Sequence, residues 1–240
     1  AISHSYEPGA VVQAMTLAAS LSDGMIKSLD EKLPTNHGRL TDTCRFQDNY
    51  IIQYERKNQT DSISVIDGFI QSSRYVASSL ALKYAQSQDY FYKWYETFCI
   101  DDYYFDLDGM RELDLVDSIG RDFNTLTSAG AGYGFTVCPM QILAFYNTIA
   151  NNGVMMRPML IKKMTSDKYG SQYMMPREIN EMVFRKEIAD SLKKALTACT
   201  EHGTSKLLNG LPQDIIGKTG TSRQVIDPTI CEGSLDPYQD

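Results

Sequence analysis

The 240-residue chain has no run of about eighteen apolar residues, the length a membrane-spanning helix needs. Its first residues lack the basic segment and apolar stretch of a secretory signal, so the sequence predicts neither a span nor a signal peptide. Positive charge is scarce: 23 Lys and Arg face 30 Asp and Glu, giving a net charge of -7 and a pI near 5.0. Without a basic stripe to neutralise phosphates, a nucleic-acid partner is excluded. The five cysteines, Cys44, Cys99, Cys138, Cys199 and Cys231, form no Cys-x-x-Cys motif and no Cys/His pair at metal spacing. No metal site and no cofactor are therefore expected, and most of these thiols read as buried small side chains. A disulfide stays open, because spacing selects no partners. Low-complexity tracts are also absent. With 42% hydrophobic residues and a mean hydropathy of -0.31, the chain suits one large globular domain or a core with an appendage.

The stretch that organises the chain is 6–21. Pro8 sits where a helix accepts a residue without an N–H, and Gly9 permits a tight turn beside it. A helix is predicted over 10–21, stopping at Asp23-Gly24. Its side chains are nearly all small or apolar, with Gln13 and Thr16 as the polar exceptions, so it should be buried all round.

Residues 25–54 are polar and turn-rich and read as loops, with a short hairpin where Tyr50-Ile51-Ile52-Gln53-Tyr54 alternates. His37, in a Pro-Thr-Asn-His-Gly turn without a serine or cysteine partner nearby, reads as a solvated loop histidine rather than a base. Ser64 to Ile70 reads as a capped short helix; Gln71-Ser72-Ser73-Arg74 breaks the pattern, and a second helix resumes over 75–85. Such a polar break sets side chains at a cleft edge. Phe91, Trp94, Tyr95 and Phe98 fall at i, i+3, i+4 and i+7, which predicts an amphipathic helix on the core rather than a carbohydrate platform. The acidic passage 101–117 reads as a solvated connection.

Further along, Thr136 can cap a helix, Pro139 fits its first turn, residues 140–150 bury one face, and Asn151-Asn152-Gly153 ends it in a left-handed turn. Residues 155–163 read as extended. Residues 187–200 form an amphipathic helix with Ile188, Leu192, Ala195 and Leu196 on one face, and His202 reads as an exposed or helix-end histidine. A short apolar run then turns polar at Gly217-Lys218-Thr219-Gly220-Thr221-Ser222.

Three blocks in this order, Tyr-Glu-Pro-Gly at 6–9, the Gly-Tyr-Gly…Ala-Asn-Asn-Gly segment at 132–153, and Lys-Thr-Gly at 218–220, resemble the penicillin-binding serine transpeptidases. The likeness runs from about residue 6 to 224 and is nearer the division or elongation type (class B) than the carboxypeptidases. It implies an α/β, helix-rich transpeptidase fold of the penicillin-binding protein and serine β-lactamase kind, with an antiparallel sheet. It also implies one transpeptidase-like domain over 1–240. On that reading the family's first strands, last strands and C-terminal helix fall outside the chain, so the sheet is incomplete and 215–221 becomes an open edge strand. An extracytoplasmic location is implied, with any membrane anchor outside this chain. The partners implied are cell-wall synthesis proteins, together with a peptidoglycan stem peptide or β-lactam held noncovalently.

The motifs depart from the family at the chemistry. In the family's E-P-G-S-x-x-K, Ala10 stands for the serine and Gln13 for the lysine. Its S-x-N aligns with Ser72-Ser73-Arg74, so Arg74 replaces asparagine; the alternative, Ala77-Ser78-Ser79, would lose both functional positions. Acyl transfer needs a nucleophile and a base one turn away, and i and i+3 share a helix face. A methyl group cannot attack a carbonyl, and a carboxamide is no proton acceptor near neutral pH. No catalytic residue is therefore expected. Ser72, Arg74, Lys218, Thr219, Gly220 and Thr221 remain as a substrate cleft that either holds an anionic ligand or survives because the sheet needs its strand. The rival expectation is a working enzyme using another serine, such as Ser5 or Ser72.

Overall fold

The computed structural model describes residues 6–41, 47–99, 123–159, 161–180, 182–222, 224–225 and 238–239. At its centre lies α1 (Gln13–Ser22), reached through a 3-10 turn (Gly9–Val12), with every residue from Gln13 to Leu21 buried. Small side chains explain this position: with alanine and serine at so many points, neighbouring helices approach α1 from all sides. Asp23 closes the helix and Gly24 follows at φ +67°. The buried polar Thr16 is satisfied, its hydroxyl donating to Gly130 O at 2.8 Å and meeting Tyr95 Oη at 2.9 Å.

Against α1 pack α4 (Arg74–Leu82), α5 (Gln88–Cys99), α6 (Phe123–Ala131) and α8 (Lys186–Glu201), while α3 (Val65–Ile70) packs on α4 and α8, and α7 (Pro139–Ala150) on α5 and α8. Helix α5 turns Phe91, Tyr95 and Phe98 into the core as its periodicity predicted and buries Tyr92 besides, whereas Trp94, the fourth position of that pattern, stays half-buried, donating to Asp23 Oδ2 at 2.7 Å. Phe98 meets Phe145 of α7 edge-on, ring centres 4.9 Å apart, which fixes the two helices against each other. In α8, Ile188, Leu192, Ala195 and Leu196 are buried, as the heptad-like spacing required. Helix α7 begins with Pro139 in its first turn and ends with Asn152 and Gly153 at positive φ. Its cap is not Thr136, which is exposed. Cys138 occupies the N-cap, and its N–H donates to Gln141 Oε1 at 2.8 Å.

Strands are short and antiparallel. β1 (Lys32–Pro34) pairs with β2 (Ser62–Ser64), and β3 (Met155–Met156) with β6 (Glu178–Asn180). β4 (Lys163–Ser166) pairs with β5 (Gly170–Tyr173), and β7 (Gln224–Val225) with β8 (Tyr238–Gln239). The hairpin expected at 50–54 is instead α2 (Asn49–Asn58), which buries Ile51 and half-buries Tyr50 and Tyr54. Five residues are too few to separate period 2 from 3.6. The deciding group is Asp48, whose Oδ1 accepts from Tyr50 N at 3.0 Å at the helix start.

The strand expected over 215–221 is also absent: residues 212–222 belong to no ladder. Among the described residues no strand runs beside them, so their backbone groups have no register to join, and Ile215 and Ile216 stand exposed. Cys138 and Cys199 are free and buried. Cys44, Cys231, the Cys99 side chain and the acidic passage 101–117 lie outside the described residues.

Candidate functional site

Three backbone segments meet where the sequence motifs converge. Gly9 N donates to Gly132 O at 2.9 Å, and a Cβ on Gly132, which sits at φ +98°, would lie 1.9 Å from Gly9 O. Only glycine permits that contact. Gly220 faces the same turn from the other side: a Cβ there would come within 3.1 Å of Pro8 O and of Val11 Cβ. The family resemblance placed Gly220 in a substrate cleft, whereas here the chain's own 8–11 turn lies against it. Tyr6 N and O pair with Val137 O and N at 3.0 Å, and Gly134 N donates to Glu7 Oε1 at 2.8 Å, so the start of the 6–21 stretch is tied to the 132–138 block.

Ala10 sits in the 3-10 turn, half-buried, and its carbonyl accepts from Gln13 N. Gln13 is 3% exposed; its Nε2 reaches Ser72 O at 3.5 Å, while its Oε1 is buried and has no hydrogen-bond partner among the described residues. An acceptor left so costs about 1–3 kcal/mol. Ser72 occupies the break between α3 and α4 at φ +55°, a left-handed conformation that a non-glycine side chain takes at a cost. Its hydroxyl meets Thr219 Oγ1 at 3.3 Å and Thr204 Oγ1 at 3.4 Å, and the Lys218 ammonium donates to it. Thr204 and Thr219 hydroxyls lie 2.7 Å apart. Gln13, Ser72, Lys218 and Thr219 therefore form one cluster.

Lys218 has a half-buried stem, and its ammonium lies 5.5 Å from the centre of the Phe69 ring. Burial pushes its pKa down to about 8, with the Cys199 thiol acting in the opposite direction. Burial likewise pushes Cys199 up to about 11, against the pull of Lys218. An amine of this kind is partly neutral in mildly alkaline solution and can accept as well as donate a proton.

Arg74 is turned another way. Its guanidinium lies 5.1 Å from the centre of the Tyr133 ring, and the Tyr133 hydroxyl reaches Thr221 O at 3.5 Å, so Arg74 is linked to 221 through an aromatic ring. Thr221 is exposed, and its carbonyl faces Gly9. Ser78, the serine of the alternative alignment, is buried and donates to Thr127 O at 2.7 Å, on the α6 side.

Sequence reading missed Asp48, Thr204, Phe69 and Tyr133. Asp48, 7% exposed, caps α2, and its Oδ2 accepts from Ser73 Oγ at 2.8 Å and Tyr75 N at 3.0 Å. Ser73 in turn caps α4 through Val76 N. One carboxylate thus fixes the start of two helices and the turn that presents Ser72. Asp48→Ala should lower stability by on the order of 3 kcal/mol, read from urea unfolding, because three donors lose an ionised acceptor at once. An unchanged midpoint would show that the turn is held by other contacts. Thr204 had a faint signal in the Gly203-Thr204 pair after α8; its N–H donates to Ile70 O at 3.0 Å. His37 and His202 stay outside the cluster: His37, with its side chain 86% exposed, pairs with Glu55, and His202 ends α8.

Residues 1–230 match the family model described as the penicillin binding protein transpeptidase domain. The chain belongs to that family. Solved structures carry the same fold. Penicillin-binding protein 3 from Mycobacterium tuberculosis, complexed with aztreonam, aligns at TM-score 0.78 and 21% identity over 100% of this chain and 52% of its own. A peptidoglycan synthetase from Bifidobacterium adolescentis aligns at 0.76 and 20%, over 98% of this chain and 40% of its own. Penicillin-binding protein A from M. tuberculosis, a ceftriaxone acyl-enzyme complex, aligns at 0.76 and 19%, over 95% and 50%. The chain thus spans about half or less of these relatives. Comparison with curated protein sequences returns no match. Among the described residues of this penicillin-binding protein transpeptidase domain, no helix is long and apolar enough to cross a membrane, and no group of three His, Cys, Asp or Glu is arranged for a metal.

Proposed function

We propose that this is a penicillin-binding protein transpeptidase domain of the class B type, from cell-wall peptidoglycan synthesis, in which acyl transfer has been lost. It acts as a structural or regulatory part of a cell-division or elongation assembly outside the cytoplasmic membrane. On this reading 1–240 is one transpeptidase-like domain. The observation that carries the reading is the side chain at position 10: a methyl group stands where the family's motif has its nucleophile, and Gln13 stands where it has its base. Two further features support it. Gln13 keeps a neutral side chain inside a buried helix, where a lysine without its serine would be an unpaired charge. The replacement of asparagine by Arg74, turned onto Tyr133, alters a third functional position. Incubation with a fluorescent penicillin should leave no label that survives denaturing electrophoresis. A covalent adduct on Ser72, or on any other residue, would return the domain to the working enzymes.

A second reading, a noncovalent sensor of β-lactam or muropeptide, is favoured by one observation: Lys218, Thr219, Thr204 and Ser72 still converge on a single cationic, hydroxyl-lined point. Such a set suits a carboxylate. Calorimetry with a β-lactam or a stem peptide should then give saturable heat that Lys218→Ala abolishes; flat titrations of the unmodified chain would remove the sensor role.

A further inference from the structure

We infer that the β4–β5 ribbon is a docking element for an anionic lipid surface. The eight residues of its two strands, paired from Lys163↔Tyr173 to Ser166↔Gly170, are all exposed, so among the described residues neither face of the ribbon is covered. An isolated two-stranded ribbon is marginally stable in water, so one that protrudes uncovered gains from a surface to lie in. Its apolar side chains are out of proportion to that exposure: Tyr169 is 81% exposed, Met175 75%, Tyr173 61%, Ile161 50% and Met164 47%.

Charge selects the occupant. Residues 161–178 carry Lys162, Lys163, Lys168 and Arg177 against Asp167 and Glu178, in a chain whose net charge is -7. The ribbon therefore differs in sign from the molecule that bears it, and its complement is anionic. Two of the cations lie beside aromatic rings, Lys163 at 5.3 Å from the Tyr173 ring centre and Lys168 at 5.2 Å from that of Tyr169. An amphipathic ring with an ammonium at its side matches the headgroup zone of a bilayer, where the ring settles among glycerol groups and the ammonium reaches phosphate. A folded protein would take one face of the ribbon and leave the other bare. Insertion among headgroups covers both faces and the turn at 167–170, and methionine side chains adapt to such an irregular medium.

The test uses the 240-residue chain and vesicles of phosphatidylglycerol with phosphatidylcholine, or of phosphatidylcholine alone, read by co-sedimentation. The chain should pellet with the anionic vesicles, much less with the neutral ones, and high salt should release it. Replacing Lys162, Lys163 and Lys168 together by glutamine should weaken partitioning roughly a hundredfold. Tyr169→Ser with Met175→Ser should weaken it at all salt concentrations. These side chains are exposed, so an unchanged thermal midpoint checks that each variant is folded. Absence of pelleting, equal pelleting with neutral lipid, or variants that pellet like the parent would each overturn the inference. So would a concentration-dependent dimer, seen by analytical ultracentrifugation, that the same substitutions abolish, since the ribbon's occupant would then be a second copy. None of these outcomes depends on penicillin, so they are independent of the fate of the acyl-transfer reading.

Discussion

If acyl transfer is lost as proposed, the double substitution Ala10→Ser with Gln13→Lys should yield a protein that fluorescent penicillin marks permanently, where the parent takes no label. The rest of the cluster is in place to receive the new groups. Gln13 already extends to Ser72 O, and a lysine of comparable reach would bring its amine to the Ser72 and Lys218 side of α1. Position 10 lies one turn before it, its carbonyl bonded to Gln13 N, so the two side chains start from adjacent points of one helical face. Nucleophile and base act as one device, and removing either costs up to about a million-fold, nearly as much as removing both. Each single substitution should therefore stay near silence, while the pair gains at least about a thousand-fold over either. A folded double variant that still takes no label would mean that the contact between the 8–11 turn and residues 219–221 leaves no room for an acyl group. In that case the loss of chemistry is built into the backbone as well as the side chains.

The second large effect is electrostatic. Lys218 should titrate near pH 8, against roughly 10.4 for a lysine in water, so at pH 8 about half of it is neutral while other lysines are almost wholly charged. Reductive methylation with isotopic labelling, followed by NMR across pH, reads this directly. The sign of the linked stability follows. Between about pH 8 and 10.5 the folded state has released the Lys218 proton and the unfolded state still holds it, so stability from this group rises with pH across that window. Below pH 8 the cost of burying the charge is fully present. Lys218→Met should accordingly be more stable than the parent at pH 7, by at most on the order of 3 kcal/mol, with the advantage fading by pH 10.5. An ordinary titration, or a Met variant that gains nothing at pH 7, would show that the amine is solvated.

The elements legible in the sequence are those whose own side chains specify them. Helices α1, α5, α7 and α8 carry long apolar patterns or proline and glycine punctuation, and such local signals survive folding unchanged. Helix α2 was not legible because its apolar pattern is weak and its cap is shared: Asp48 is held by groups at 73 and 75, far along the chain. The family resemblance implies a strand at 215–221, yet a strand exists only when a neighbour supplies its hydrogen bonds, and among the described residues none does. The cap of α7 moved from Thr136 to Cys138 because the Gln141 side chain reaches back to the backbone at 138, a contact that residue types alone leave undecided.

The sequence by itself determined the family resemblance, the buried central helix, and the residue types at 10 and 13 on which the proposed loss of acyl transfer rests, because chemistry at one residue is a property of that residue. Only the tertiary structure decided that Gln13, Ser72, Thr204, Lys218 and Thr219 share one point, that Arg74 turns onto Tyr133, and that Gly220 lies on the 8–11 turn. These are meetings between segments far apart in the chain, and the packing around α1 brings them together.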